Sequence, residues 1–244
     1  MSQRVALVTG GSRGIGAAIV KALAAGGFKV AVNCLNNTAM AEEVLKASGG
    51  DGGVFPADAR DHQQVAAMVR AVEKSLGPVD AAVHNANIHF PMAPFWLLPW
   101  AEVQAKLTGE VGAFHALVAA TGPGMIERKW GRVVAISSSL SRFASEGFGA
   151  HAAAKSALDG AVRVLSREMG PSGVTVNVVA PGLVETDATA HQPQEMKQAI
   201  AGFTPLKRVG VPEDIGGVVA FLCSEEARWI TGQYLPLNGG INTV

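Results

Sequence analysis

The chain has little cysteine, no net charge and no long apolar run. Its 244 residues contain two cysteines, Cys34 and Cys223, which lie far apart and outside any CxxC or histidine-rich cluster. We therefore expect neither a metal site nor a disulfide framework, and the cysteine usage fits a reducing, cytoplasmic compartment. Lysine plus arginine and aspartate plus glutamate number 20 each, which argues against nucleic acid or a membrane surface as the main partner. No apolar run is long enough to cross a membrane, and the early first strand argues against a signal peptide.

Short β-branched runs alternate with longer amphipathic stretches, and hydrophobic residues make up 48% of the chain. This alternation predicts one α/β domain over residues 1–244, with a doubly wound, Rossmann-type parallel sheet covered by helices on both faces. The predicted strands are Arg4–Val8, Lys29–Asn33, Gly53–Pro56, Val79–His84, Gly131–Ser137, Val174–Val179 and a short one near Tyr234–Leu237. The predicted helices are Gly14–Ala25, Thr38–Ala47, Asp61–Leu76, roughly Trp100–Ala120, Phe148–Met169 and Pro212–Cys223.

A glycine-rich segment, Thr9–Gly16, joins the first strand to the first helix. Glycine lets backbone amides approach a pyrophosphate, and the N-terminus of the following helix favours negative charge. The segment lies at the first strand–helix junction of a βαβ unit, so it predicts a dinucleotide site far more specifically than an isolated glycine-rich turn. The residues expected to contact the cofactor here are Gly10, Ser12, Arg13, Gly14, Ile15 and Gly16.

The end of the second strand distinguishes NADH from NADPH, because an acidic residue there would bind the ribose hydroxyls. This chain has no acid in the segment 33–37, which reads Asn-Cys-Leu-Asn-Asn. Asn36 is expected to contact the cofactor, and Arg13 could face a 2′-phosphate. Both features favour NADP(H), although a solvated loop charge is a second interpretation of Arg13.

With these motifs in place, the sequence resembles the short-chain dehydrogenase/reductase family over its whole length, and within it the bacterial 3-oxoacyl-[acyl-carrier-protein] reductases. The resemblance implies NADPH-dependent reduction of a β-ketoacyl thioester, usually by a tetramer. It assigns Asp58 to the adenine amine and places Asn85 in the family's Asn-Asn-Ala-Gly element as a cofactor-site residue. It also assigns three residues to the loop that contacts the nicotinamide carboxamide: Pro181, Gly182 and Thr186.

The family's active site combines a Ser, a Tyr, a Lys and an Asn, of which this chain keeps the Ser and the Lys. By resemblance, Ser138 orients the substrate carbonyl and Lys155 holds the nicotinamide ribose. His151 stands where the family has the proton-donating Tyr, four residues before Lys155 and on the same helix face. The Asn position is taken by Glu110 in an ungapped alignment, or by Lys106 in a shifted one.

Two further departures follow the fourth strand. His84 replaces the first Asn of the Asn-Asn-Ala-Gly element, and Asn87 replaces its Gly. Since that Gly leaves room beside the cofactor ribose, Asn87 is expected to crowd the nicotinamide side. The other histidines are expected to be surface or packing residues because no two have metal-like spacing: His62, His89, His115 and His191.

His151 could replace the missing acid, since imidazole is a competent proton donor with an ordinary pKa of about 6.5. Two effects weaken this hypothesis. Imidazole reaches less far than phenol, and the neighbouring Lys155 ammonium disfavours the imidazolium. Glu110, if close, would act in the opposite direction and could pair with His151. Two interpretations of the site therefore remain: a rebuilt proton relay, or an inert pocket that the His151 side chain fills.

Two surface segments bear on substrate and partner. The stretch Phe90–Trp100, with its two tryptophans, would cover the substrate cleft, either as a wall for an apolar acyl chain or as ordinary lid packing. Arg128, Lys129 and Arg132 match a basic patch that meets the acidic carrier protein in the resembled reductases. A solvated helix end is the simpler interpretation of these three charges.

The sequence thus leads to two hypotheses. In the first, the chain is an NADP(H)-dependent ketoreductase acting on a β-ketoacyl thioester or related carbonyl, with His151 as replacement acid and Glu110 in its relay. In the second, it is a catalytically silent, cofactor-binding subunit that assembles with an active paralogue. The expected assembly is a homotetramer, or a hetero-oligomer with a related reductase.

Overall fold

Seven parallel strands form one sheet in the order β3-β2-β1-β4-β5-β6-β7. The computed structural model describes residues 3–190 and 192–242. Because β1 lies between β2 and β4, the winding direction reverses there, and a crevice opens at the carboxyl ends of β1 and β4. The strands are β1 (Val5–Val8), β2 (Lys29–Cys34), β3 (Gly52–Pro56), β4 (Val79–His84), β5 (Gly131–Ile136), β6 (Val174–Pro181) and β7 (Tyr234–Leu237).

Helices cover both faces of the sheet. The first and last helices pack on one face, over a core of aliphatic residues from β1, β2, β4 and β5, whereas the third, fourth and fifth helices pack on the other. The central strands β1, β5 and β6 are buried along their whole length, as expected for a sheet covered on both sides. The helices are α1 (Gly14–Ala25), α2 (Thr38–Ala47), α3 (His62–Ser75), α4 (Trp100–Glu127), α5 (Gly149–Met169), α6 (Gln194–Phe203) and α7 (Pro212–Cys223).

The predicted doubly wound α/β fold is confirmed, and most element bounds agree within two residues. The prediction that α4 ends near Ala120 is wrong, because the helix continues through Pro123 to Glu127. Proline removes one backbone hydrogen bond there. The extra turns are nevertheless anchored, since Gly122 lies against Met169 and Met125 packs against Gly131.

Helix α6 was not predicted. None of its side chains is fully buried, so its sequence carries only a weak apolar signal. Four one-turn 3₁₀ helices among the described residues were not predicted either. They cover Phe95–Leu97, Ser139–Ser141, Gly170–Ser172 and Asp187–Thr189. Among the described residues, no helix is both long and apolar enough to cross a membrane.

Candidate active site

A cleft of about 610 Å³ opens at the carboxyl end of the sheet. This volume is typical of a cofactor or substrate site. Two predicted site residues, Asn36 and Glu110, do not line the cleft. All the other predicted site residues do: Gly10, Ser12, Arg13, Gly14, Ile15, Gly16, Asp58, Asn85, Ser138, His151, Lys155, Pro181, Gly182 and Thr186.

The glycine loop at one end of the cleft needs its glycines for geometric reasons. Gly10 and Gly14 have φ angles of 63° and 53°, a region that favours glycine. A Cβ on Gly16 would overlap the carbonyl oxygen of Gly10. The loop therefore leaves bare backbone facing the cleft where α1 begins, which is the arrangement that accommodates a pyrophosphate.

Two buried or half-buried asparagines hold this loop in place. Asn33 accepts a hydrogen bond from the Gly10 amide at 3.3 Å and donates to the carbonyls of Phe55 and Ala57, both at 3.1 Å. The Nδ2 atom of Asn85 donates to the carbonyls of Thr9 and Gly10, both at 3.0 Å. Asn85 thus shapes the loop with its amide hydrogens. The role of Asn33 was not predicted, although an amide side chain at the end of a buried strand indicates a residue that hydrogen-bonds neighbouring backbone.

Charged residues also line the cleft. Arg13 is exposed and precedes α1 in an extended conformation. Asp58 is held by Arg60, whose guanidinium donates to both carboxylate oxygens at 2.7–3.2 Å and lowers the pKa of Asp58. Arg60 also lines the cleft and was not predicted as a site residue from the sequence. Asn87 is exposed and lines the cleft.

Ser138 follows β5, precedes a 3₁₀ turn and lines the cleft. Its Oγ accepts a hydrogen bond from the Leu140 amide at 3.2 Å. Because the hydroxyl is an acceptor in this bond, its hydrogen remains available as a donor. Ser138 is therefore placed to hydrogen-bond a carbonyl oxygen.

Glu110 lies behind the cleft, fully buried, and binds two lysines. Lys155 donates from Nζ to Glu110 Oε1 at 2.6 Å and to the Ile136 carbonyl at 2.8 Å. Lys106 donates to Glu110 Oε2 at 2.6 Å and to the Ile88 carbonyl at 2.8 Å. Both candidates for the family's Asn position therefore lie in the same ion cluster.

His84 completes this cluster, with Nε2 at 3.4 Å from Glu110 Oε1. Burial raises the pKa of Glu110, but Lys155, His84 and Lys106 outweigh burial and hold that pKa well below its usual range. Burial lowers the pKa of His84 and of Lys106. His84 and both candidates for the family's Asn position, Lys106 and Glu110, thus meet in one buried cluster around the Glu110 carboxylate.

His151 is 8% exposed and stacks on Phe90, with ring centroids 4.2 Å apart. Its Nδ1 atom is buried without a hydrogen-bond partner among the described residues. Burial, and then the charges of Lys155 and Lys106, lower the pKa of His151 to about 3. The suggested pairing of His151 with Glu110 is wrong, because the contacts of that carboxylate are with Lys106, Lys155 and His84.

The two surface segments agree only in part with expectation. In Phe90–Trp100, Phe90 lines the cleft, whereas Trp96 is 82% and Trp100 67% exposed and neither lines it. Of the basic cluster, Arg128 and Lys129 are exposed at the C-terminal end of α4, as expected for a solvated helix end, and Arg128 also donates to the Val79 carbonyl. Arg132 differs, because it is buried and donates to the Ser224 carbonyl.

Two of the remaining histidines come together despite their distance in sequence. The rings of His62 and His115, on α3 and α4, lie 5.4 Å apart and both residues are exposed. His89 is exposed at the cleft, and His191 lies outside the described residues. Within the described ranges, no group of three or more potential metal ligands occurs.

Comparison with known proteins places this architecture in a family. Residues 10–242 match a family model described as Enoyl-(Acyl carrier protein) reductase. The chain is 39% identical to Nodulation protein G of Azospirillum brasilense, over 99% of both chains. It is 36% identical to 3-oxoacyl-[acyl-carrier-protein] reductase FabG of Pseudomonas aeruginosa, over 98% of this chain and 97% of the relative. It is 35% identical to Acetoacetyl-CoA reductase of Allochromatium vinosum, over 98% of both chains. The chain therefore belongs to the short-chain dehydrogenase/reductase family of oxidoreductases.

Proposed function

We propose that this protein is an NADP(H)-dependent reductase of β-ketoacyl thioesters or closely related ketones, with an altered proton-donor site. The observation that carries the proposal is the combination of a glycine cradle open to a dinucleotide with Ser138 and Lys155 at the far end of the same cleft. We further propose a cytoplasmic homotetramer, in keeping with the two free, buried cysteines and with exposed apolar side chains such as Trp229.

The choice of NADP(H) rests on charge. Arg13 is exposed at the cleft, and the neighbouring strand end presents Cys34 and Leu35 rather than a carboxylate. Asn33 is occupied by the loop and the neighbouring strand. An arginine without a competing acid favours a 2′-phosphate over a ribose hydroxyl.

The substrate class rests on the relatives. Two of them are named for reduction of a 3-oxoacyl group on a carrier protein or of acetoacetyl-CoA. Phe90 and Ile88 give the cleft an apolar wall, which suits an acyl chain. Burial of Arg132 leaves only Arg128 and Lys129 of the basic cluster exposed to a carrier protein, so a coenzyme A thioester is the simpler substrate.

The mechanism assigns each step to a residue. When bound, the nicotinamide supplies a hydride. Ser138 donates a hydrogen bond to the substrate carbonyl oxygen and stabilises the charge that develops there. Lys155 uses two of its three N–H donors on Glu110 and Ile136, which leaves the third for the cofactor ribose. His151 is the replacement acid.

Proton delivery is the slow step in this scheme. With a pKa of about 3, His151 is almost entirely neutral at pH 7, so the imidazolium is scarce. If imidazolium is the donor, turnover increases about tenfold for each unit that pH falls between 7 and 5, since the protonated fraction rises by that factor.

The test is NADPH oxidation by purified protein with acetoacetyl-CoA and longer 3-oxoacyl thioesters. Ser138→Ala serves as the inactive control and His151→Gln as the variant without an acid. The proposal predicts turnover above the Ser138→Ala level and a pH dependence that His151→Gln abolishes. Turnover no greater than that of Ser138→Ala at every pH would reject it.

A silent subunit is the second candidate function, and a specific observation favours it. Glu110 restrains Lys155 inside the protein, and the His151 ring is packed against Phe90. Such a subunit would bind NADPH, show no turnover alone, and co-purify with a homologue that retains the Tyr. A homo-oligomer that turns over alone would exclude this candidate.

A further inference from the structure

The chain contains a single tyrosine, Tyr234, and its hydroxyl lies directly behind the Ser138 backbone. Tyr234 Oη donates a hydrogen bond to the Ser138 carbonyl oxygen at 3.3 Å. The contact joins β7 to the start of the 3₁₀ turn across 96 residues of sequence. It is therefore a tertiary restraint on the residue that the proposed function assigns to the substrate carbonyl.

Tyr234 is itself held from two sides. The guanidinium carbon of Arg142 lies 3.7 Å from the centroid of its ring, which is cation–π geometry. The Ser141 hydroxyl donates to Tyr234 Oη at 3.4 Å. Ser156, on α5, donates to the Ser141 carbonyl at 2.8 Å, so the 3₁₀ turn is tied to a helix as well as to a strand.

A buried carboxyl group adjoins this network. Asp159, 7% exposed, lies on α5 one turn beyond Lys155, and its Oδ1 atom has no hydrogen-bond partner among the described residues. Burial raises the pKa of Asp159, and the Ser137 and Ser141 hydroxyls offset only part of that rise. Burial also raises the pKa of Tyr234, and the Asp159 charge adds to the rise.

We propose that Tyr234 is a positioning residue for Ser138, and that Ser141 and Arg142 hold the Tyr234 side chain in place. The inference rests on the proposed function for its catalytic consequence. The physical restraint itself does not depend on turnover. Because the 3₁₀ turn begins at Ser138, loosening its carbonyl would also move the Leu140 amide that orients the Ser138 hydroxyl.

Tyr234→Phe tests the restraint, since it removes one hydroxyl and keeps the ring beneath Arg142. The matched control is Thr121→Val, which removes a buried hydroxyl that bonds only within α4, to the Leu117 carbonyl. We expect amide hydrogen exchange in residues 139–142 to accelerate about threefold or more in Tyr234→Phe and to stay unchanged in Thr121→Val, as expected for loss of one ordinary hydrogen bond. Equal exchange in both variants would overturn the proposal.

The catalytic consequence has a separate measurement. In Tyr234→Phe we expect kcat for the ketone to fall about 3- to 10-fold, with the Kd for NADPH changed less than twofold. An unchanged kcat in an active enzyme would contradict the positioning role. If wild-type protein has no turnover at all, the proposed function fails, whereas the hydrogen-exchange comparison still decides whether Tyr234 restrains the turn.

The single tyrosine also gives a spectroscopic readout. Tyrosinate absorbance near 295 nm reports Tyr234 alone, so its titration can be followed in wild type and in Asp159→Asn. The Asn variant removes a nearby negative charge, and we expect the Tyr234 pKa to fall. An unchanged pKa would show that the Asp159 charge does not act on the Tyr234 hydroxyl.

Discussion

Lys155 and Glu110 are joined inside the protein by a 2.6 Å contact between Nζ and Oε1. The resemblance assigns this lysine to the nicotinamide ribose, and the family has an Asn at the position that an ungapped alignment gives to Glu110. Here the carboxylate also binds Lys106 and lies close to His84. The proposed proton-donor site at His151 is therefore accompanied by a buried ion cluster at Glu110.

Removing the charge of Glu110 is expected to destabilise the fold. Glu110→Gln leaves two buried lysines without their anion, and breaking a buried pair in this way costs about 3–5 kcal/mol. The matched control is Glu185→Gln, whose exposed pairing with Lys197 at 3.3 Å is worth at most about 1 kcal/mol. Urea unfolding of the two variants measures the difference, and equal losses would show that the cluster contributes no more than a surface pair.

His151 is expected to make the folded state sensitive to acid. In the unfolded chain it takes up a proton near its ordinary pKa of about 6.5, whereas in the folded protein its pKa is about 3. Between these values the unfolded state binds the extra proton, so stability is full above pH 6.5 and decreases as pH falls towards 3.

His151→Phe preserves the stacking on Phe90 and removes this proton. We therefore expect the decrease in unfolding free energy between pH 6.5 and 4.5 to be shallower in the variant, by up to about 1.4 kcal/mol per pH unit. His84, whose pKa burial also lowers, still contributes in both proteins. Parallel stability curves would contradict the shifted pKa of His151.

The glycine loop should not tolerate a side chain at Gly16. Gly16→Ala places a Cβ against the Gly10 carbonyl oxygen, and we expect loss of NADPH binding together with about 1–3 kcal/mol of stability. Gly217→Ala is the control, because this glycine is also helical and a Cβ there meets nothing within 4 Å. The control should be neutral or slightly stabilising. Wild-type NADPH affinity in Gly16→Ala would place the cofactor elsewhere.

Arg13 should set the preference between the two cofactors. We expect Arg13→Ala to weaken NADPH binding about tenfold, or roughly 1.4 kcal/mol, and to leave NADH binding unchanged. Lys21→Ala, an exposed charge on α1 outside the cleft lining, should change neither. Fluorescence titration with each cofactor measures both affinities. Equal losses for NADH and NADPH would mean that Arg13 does not contact a 2′-phosphate.

Much of the fold could be predicted because periodicity and glycine placement are local signals. Helices α1, α2 and α7 and strands β4 and β7 have the predicted bounds. The C-terminal end of α4 and the existence of α6 could not be predicted. In α4, tertiary packing of Met125 overrides the breaker Pro123, and α6 has no fully buried side chain.

The site was only partly predictable for a related reason. Lys106 and Glu110 were alternatives for one family position and His84 was a separate departure, because no local pattern shows that β4 and α4 bring all three into one ion cluster. The contact of Tyr234 with Ser138 likewise spans 96 residues and depends on the placement of β7 beside β6. The residue types could be recognised in the sequence, but the contacts between segments that lie far apart along the chain could not.

The most direct measurement compares NADPH-dependent reduction of a 3-oxoacyl thioester at pH 7 in wild-type protein and in His151→Tyr. Because the protonated form of His151 is scarce at pH 7, the Tyr variant should raise kcat by about 10²-fold or more, with the Kd for NADPH unchanged, since a positioned acid is commonly worth ~10²–10⁴. A kcat that stays the same or falls would contradict this interpretation and would identify either His151 as an adapted catalyst or the Lys106–Glu110–Lys155 cluster as the block.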